Sequence, residues 1–451
     1  MRKFGWLAAI AIVLLLPAIR NHYPLLYSDS GEYLLSALTR RPPRVRTVGY
    51  GIWIWLTGGT LTLWAPVIAQ ALLLAALIVR TLIAIELAIT PRLILRITAA
   101  LLLTGAPWMA SETMPDVFAG AVLLATWLAL AHWSRLGAAS RALVVATILL
   151  GVATHVTMPL VFGSLLLAVV VAAGIKRIIL PARRPTMAVA LLVVLSVVGL
   201  ATFNWARTDR VALTRKPSVF VIGHLVESGL AARVLAERCA AEPFALCPYQ
   251  SALTQPIESF IWNDSSPFYK AYHDEDELRA DTRHMVIAVV RHEPLRLLWS
   301  VASYGGRQFV DVQVFDNART RPANRFTRSV VSFVLPHEEA SMLRARQQAE
   351  TSGDLRWIDA VILTTFAAAL LLSGWTVGRV FRRGPVILSS AAGLQLYLWA
   401  ALVLNALICA NLSGVFGRYQ GRIAWLLPVV VAASLPWNGE RLTQQSDRPG
   451  E

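Results

Sequence analysis

The sequence predicts an all-α polytopic membrane protein of about ten transmembrane helices, with a large soluble segment on its outer side. Three observations predict it. Of 451 residues, 56% are hydrophobic and only 15% charged, where a soluble protein carries about 25% charged residues. Apolar stretches near the roughly 17–25 residues that cross a hydrocarbon core recur along the chain. Lipid cannot satisfy backbone polar groups, so such stretches must be helical, and the short alternating segments of a membrane β-barrel are absent from the sequence. Finally, basic residues gather at alternate connections, as the orientation bias of membrane helices requires.

The spans are expected at about 4–20, 64–88, 97–110, 117–133, 141–155, 159–175, 186–203, 357–378, 386–411 and 423–437. The first has the basic start and apolar centre of a secretory signal, but no small-x-small pattern precedes Asn21, so it is retained as a helix. With a cytoplasmic N-terminus, the inside connections hold Arg2 and Lys3, Arg92 and Arg96, Arg135 and Arg141, Lys176 to Arg184, and Arg379 to Arg383. Residues 141–175 read as one kinked helix or as a hairpin turning at His155 to Pro159; basic flanks on both sides demand an even number of crossings, hence the hairpin. Residues 21–63, 108–116, 204–356 and 412–422 then share the outer face, and both termini are cytoplasmic. The chain divides into an N-terminal transmembrane module (1–203), an outer segment (204–356) large enough to fold as a domain, C-terminal helices (357–437) and a disordered tail (438–451).

The net charge of +15 is explained by the orientation bias, so no nucleic-acid partner is expected. Of three cysteines, Cys239 and Cys247 lie close together in the polar segment while Cys409 sits in an apolar run. A Cys239–Cys247 bridge is expected if that segment faces an oxidising compartment; two separate thiols are the alternative.

Residues able to carry chemistry gather on the outer connections. The first reads Tyr27-Ser-Asp-Ser-Gly-Glu-Tyr33, followed by Arg40-Arg-Pro-Pro-Arg-Val-Arg46. Asp29 and Glu32 can act on a hydroxyl presented at the membrane surface, although their spacing is also that of a capping box. Arg44 and Arg46 stand outside against the orientation rule. The next turn, Ser111-Glu-Thr-Met-Pro-Asp116, opens a helix with Thr113 as its cap and Asp116 favoured by the helix dipole, which leaves Glu112 unexplained. Gly417-Arg-Tyr-Gln-Gly-Arg422 puts Arg418 and Arg422 on one helical face beside Tyr419. Guanidinium forks match phosphate oxygens, although side chains reaching for lipid headgroups would read the same way. His155 either hydrogen-bonds a ligand or satisfies a helix end. Asp29, Glu32, Glu112 and Asp116 would hold a divalent cation if they converge; no other cofactor is expected.

The order and common sidedness of these motifs resemble the GT-C superfamily of membrane glycosyltransferases, which includes protein mannosyltransferases and the aminoarabinose transferases of lipid A. Tyr27-Ser-Asp-Ser-Gly-Glu-Tyr33 is similar to the Asp-containing motif of the first outer loop, Glu112-x-x-Pro115-Asp116 to the second acidic motif, and Arg418-Tyr419 followed by Leu426-Leu427-Pro428 to the family's C-terminal ending. The resemblance covers the transmembrane frame; segment 204–356 has no counterpart in it. It implies juxtamembrane helices in the first outer loop; thirty-eight arginines against four lysines, with abundant alanine, point separately to a GC-rich bacterial source and hence to an inner-membrane location. It also implies a polyprenyl-phosphate-linked sugar as donor, a glycan, lipid or protein hydroxyl as acceptor, and Asp29 as base. Arg418, with Arg422 or an arginine of 40–46, would neutralise the departing phosphate, and Glu112 and Asp116 would orient a substrate. The competing readings are a non-enzymatic transporter or flippase component and an O-antigen ligase or polymerase of another fold. Transporters usually place ionisable residues near the midplane, whereas these gather at the outer rim.

Overall fold

The computed structural model describes residues 2–180, 182–216, 218–253, 256–314, 322–349, 355 and 357–435; the expected tail 438–451 lies outside the described residues. Helices carry the architecture, and among the described residues the one sheet is a parallel pair of two-residue strands, Ile178–Ile179 beside Val386–Ile387. Five helices are long and apolar enough to cross a membrane: Trp64–Ala84, Asp116–Arg135, Arg183–Thr208, Trp357–Phe381 and Ala391–Leu412. The pair Ser218–Glu227 and Leu230–Arg238, bent by 82°, would make a sixth if it were one span. Shorter apolar helices occupy Gly5–Asn21, Ala138–Val152 and Met158–Gly174, so the chain turns back as a hairpin at 153–157.

The outward faces are apolar. Only 22% of the most apolar stretch of Arg183–Thr208 and 28% of that of Trp357–Phe381 is buried against the protein, leaving Leu191, Val198, Leu371 and Trp375 exposed. Water would penalise such surface by about 25 cal/mol per Å², a cost that lipid removes.

Two expected spans are broken helices. The stretch expected at 97–110 begins earlier, as Pro91–Leu102, because the Thr90 side chain accepts the Leu93 N–H as a cap and Pro91 fits the first turn. It resumes as Ala106–Ala110 after Gly105, where a Cβ would lie 2.6 Å from Val314. The last stretch is Gly417–Ala424 followed by Leu426–Ser434.

The connections gather in two sets. At one end Ser111 Oγ donates to the Leu14 carbonyl (3.0 Å), Leu25 N–H donates to the Ser111 carbonyl (2.9 Å), and Arg422 Nη2 reaches Thr157 Oγ1 (3.4 Å). At the other, Ile178 pairs with Val386, Trp127 Nε1 donates to the Leu388 carbonyl (3.0 Å), and Arg135 meets Glu86 (2.6 Å). Asp116 and Arg135 terminate the same helix, so the two sets lie at opposite ends of the bundle.

Segment 204–356, expected as one unit, divides between two cores. Residues from Val219 to Val289 build a separate apolar cluster, and the Cys239–Cys247 disulfide, with Cα atoms 5.8 Å apart, closes one of its loops. Val312, Val314 and apolar residues from Ala323 to Ala345 belong instead to the main core. Between them, helix Pro294–Val310 runs antiparallel along Ala391–Leu412, with Asn411 Nδ2 donating to the Val301 carbonyl (3.2 Å), Gly305 against Leu407, and Phe309 stacked on Trp399 at 6.2 Å. The chain then crosses Gly417–Ala424 as an extended strap. A Cβ on Gly417 would lie 2.7 Å from the Gln313 carbonyl, so glycine at this position lets the strap press the Arg418 helix into place.

Candidate functional site

Residues 21–63 form two short helices, Ser30–Thr39 and Gly49–Leu56. Tyr33 and Tyr50 meet edge to face at 5.2 Å, and Gly51 admits the Ser36 side chain, whose Oγ would be 2.7 Å from an added Cβ. A third helix, Arg325–Val334, covers the entry to the first: Thr327 Oγ1 donates to the Ser28 carbonyl (2.9 Å), and a Cβ on Gly31 would fall 2.8 Å from the Thr327 Cα. Glu338 accepts hydrogen bonds from Tyr23 (2.6 Å) and Thr62 (2.5 Å), tying both ends of the loop to the same cover. The turn that carries Asp29 is thus held from two sides.

Asp29 stands at the N-cap of Ser30–Thr39, yet its side chain makes no capping bond. Ser30 Oγ accepts the Tyr27 N–H instead (2.9 Å) and donates to the Thr113 carbonyl (2.9 Å). The capping-box alternative is therefore unused. Asp29 Oδ2 lies 2.8 Å from Arg46 Nη2 and 3.8 Å from Arg418 Nη1, both guanidiniums almost fully buried. Arg418 is sandwiched by rings, with its Cζ 4.6 Å from the Tyr27 centroid and 5.1 Å from that of Tyr419, and Arg46 lies 5.2 Å over Phe220. Three charges from residues 29, 46 and 418 share one low-dielectric corner, where cation–ring contacts hold the arginines in fixed directions.

That corner is the wall of a cavity of about 390 Å³, which Asp29, Glu32, Arg46, Arg418 and Tyr419 line together. Tyr27, Ser28 and Val45 stand beside them, and Phe220, Glu258, Trp262, Asn324, Phe326 and Phe416 complete it. Aromatic walls with a few convergent polar groups suit a small polar ligand with apolar faces. None of those six residues was singled out from the sequence; Phe416 adjoins the Gly417–Arg422 motif, and the other five come from segments with no motif around them, so that only the fold brings them to Asp29.

Glu32 also lines the cavity and is held above its ordinary value of 4.5, first by burial and then by the Asp29 charge, with Arg46 and Arg44 opposing. A carboxyl whose pKa rises on folding stabilises the fold in its protonated form; that contribution is complete below the unfolded pKa and is lost as pH rises through the folded one. Glu32→Gln, which imitates the protonated state, should therefore match the wild-type Tm near pH 4 and exceed it by about 1–2 °C at pH 7.5 in thermal unfolding. A variant less stable than wild type at pH 7.5 would show instead that Arg44 and Arg46 depend on the Glu32 charge.

The other expected residues stand apart from the cavity. Arg44 lines a neighbouring one. Glu112 is fully buried, its carbonyl accepting from Gln70 Nε2 (2.7 Å). Asp116 is 3% exposed and neither carboxylate oxygen has a hydrogen-bond partner, although its charge acts on Arg418 and Tyr33. The helix it opens is not capped by Thr113: Pro115 occupies the N-cap, and the Thr113 hydroxyl is buried without a partner, because Thr113 is committed through its backbone to Leu25 and Ser30. Arg422 is completely buried and donates through Nη2 to Asn405 (2.9 Å) and Cys409 (3.1 Å). His155 packs edge to face on Tyr419 at 5.7 Å, and its Nδ1 meets the Thr157 hydroxyl (2.9 Å) and N–H (3.3 Å), which is the helix-end role. Burial first, then the charges of Arg422, Arg46 and Arg418, hold its imidazole well below the usual range. Among the described residues no three His, Cys, Asp or Glu side chains gather at metal-binding spacing, the four expected carboxylates included.

No protein-family model, curated protein sequence or solved structure matches the chain.

Proposed function

We propose that the chain is a membrane glycosyltransferase that moves a sugar from a polyprenyl-phosphate donor to an acceptor hydroxyl at the outer face of a bacterial inner membrane, with inversion at the anomeric carbon. The observation that carries this reading is Asp29 facing Arg46 and Arg418 across one corner of an aromatic-walled cavity. One group suits the proton and two suit the phosphate. In the reaction Asp29 takes the proton of the acceptor hydroxyl while its oxygen attacks the anomeric carbon from the face opposite the phosphate. The bond from that carbon to the phosphate oxygen breaks, and its electron pair leaves on the polyprenyl phosphate. Arg46 and Arg418 neutralise the charge developing there. In the resting site they pair with Asp29; an incoming phosphate competes for both guanidiniums and frees the carboxylate to act as base.

The juxtamembrane helix pair and the order of the motifs support a GT-C-like frame. Counting the three shorter apolar helices and the two broken ones with the five long ones brings the crossings to ten, with both termini cytoplasmic. The Cys239–Cys247 bridge supports an oxidising compartment on the side of the cavity. The test is a cell-free assay with membrane vesicles and a panel of radiolabelled polyprenyl-phosphate sugars. One donor should yield a product of inverted anomeric configuration. If every donor is left intact by vesicles that contain the folded protein and a lysate of acceptors, the reading fails.

A further inference from the structure

A second cavity, of about 550 Å³, adjoins the first, and Glu32 and Phe326 line both. Its character is opposite. The first cavity sets Asp29, Glu32 and Glu258 against Arg46 and Arg418; the second sets Arg41, Arg44 and Arg215 against Glu32 alone. These three arginines are exposed, and no carboxylate of a described residue forms an ion pair with them. Three guanidiniums around one cavity repel each other, and the field they create draws in and concentrates anions.

The arrangement is built by the backbone. The Arg40 N–H donates to the Ser36 carbonyl (2.8 Å), and Ser36 Oγ donates to the Arg41 carbonyl (2.7 Å). Pro42 and Pro43 are buried and fix the path to Arg44. Thr39 spends its hydroxyl on the Leu35 carbonyl (2.8 Å), so the polar groups left facing the cavity are overwhelmingly cationic. Arginine in such a setting matches the paired oxygens of phosphate or carboxylate.

We propose that the cavity of Arg41, Arg44 and Arg215 holds an anionic group, phosphate or carboxylate, carried by the acceptor. This rests on the transferase reading for its role and deepens it: the donor sugar occupies the first cavity, and the acceptor enters from the second with its hydroxyl passing Glu32 towards Asp29. The acceptor is then an anionic glycan or glycolipid, and its charge sets which hydroxyl is presented.

The test needs binding and no turnover. Glucose 1-phosphate, glucuronate and glucose are titrated calorimetrically into the purified full chain in a neutral detergent. At least one of the two anions should bind tenfold or more tightly than glucose, with an affinity that falls as salt is raised, and the two arms tell phosphate from carboxylate. Arg44→Ala/Arg215→Ala, both at exposed positions, should abolish the preference. Equal binding of all three would overturn the proposal. So would a preference that survives in the double variant and disappears in Arg418→Ala, which would put the anion in the first cavity. Dihexanoylphosphatidylglycerol binding more tightly than either anionic sugar would make the cavity a lipid anchor and overturn the acceptor assignment. Failure of the transferase reading registers separately, as absence of transfer in the vesicle assay.

Discussion

Asp29→Asn lowers sugar transfer by at least about a hundredfold, the smaller end of what a positioned base contributes, while the protein stays in the membrane at wild-type abundance. The substitution keeps the shape of the side chain and removes both its charge and its ability to hold a proton. The turn keeps its shape, because the Asp29 side chain makes no capping bond and the turn is held by Ser30, Thr327 and the Glu338 network. What changes is the partner of two buried arginines, Arg46 at 2.8 Å and Arg418 at 3.8 Å. With the carboxylate gone, those guanidiniums retain an unbalanced positive charge, so a polyprenyl phosphate should bind at least as well as before. Transfer rates measured over donor concentration separate the two effects. A collapsed kcat with an unchanged or lowered KM for the donor is the signature of a lost base; a raised KM with normal kcat would make Asp29 a binding group, and near-normal activity would remove it from the reaction.

Much of the frame was legible because membrane helices write themselves into composition. The hairpin at 138–174 followed from charge counting alone: Arg135 and Arg141 on one flank and Lys176 and Arg177 on the other force an even number of crossings. The acidic turn and the late arginine pair were legible as motifs, and Asp29 and Arg418 do meet. The division of labour between near neighbours was not legible. Arg44 and Arg46 are two residues apart, yet Arg46 enters the corner with Asp29 while Arg44 lines the second cavity, on either side of Val45, which is buried in the Val219–Val289 cluster. Segment 204–356 was opaque for a different reason. Its contribution lies in long-range contacts, Thr327 on Ser28, Glu338 on Tyr23 and the strap on Gly417, and no local period or spacing encodes these.

Arg418 and Arg422 illustrate the same limit most sharply, and they should behave as opposites under mutation. Spacing put both on one helical face, and both do lie against the Tyr419 ring, at 5.1 and 5.3 Å. Beyond that ring they diverge. Arg418 turns to the cavity and Asp29, whereas Arg422 points into the bundle, fully buried, where it joins helix Ala391–Leu412 through Asn405 and Cys409 and the 153–157 turn through Thr157. Removing the fully buried Arg422 side chain empties the space it fills and leaves the Asn405 carbonyl oxygen without its donor, at a cost of about 3–5 kcal/mol, which for a chain of this length is a fall in Tm of about 3–5 °C. Arg422→Ala should show that fall. Arg418→Lys should move Tm by less than about 1 °C, since the charge and most of the stem remain, yet lose the planar fork and ring stacking, lowering transfer about tenfold or more. Thermal unfolding and transfer rates on the two variants read the contrast directly. Equal losses of Tm would make Arg418 a structural residue, and an Arg422→Ala protein that melts normally but cannot transfer would return Arg422 to the phosphate site that its sequence position suggests.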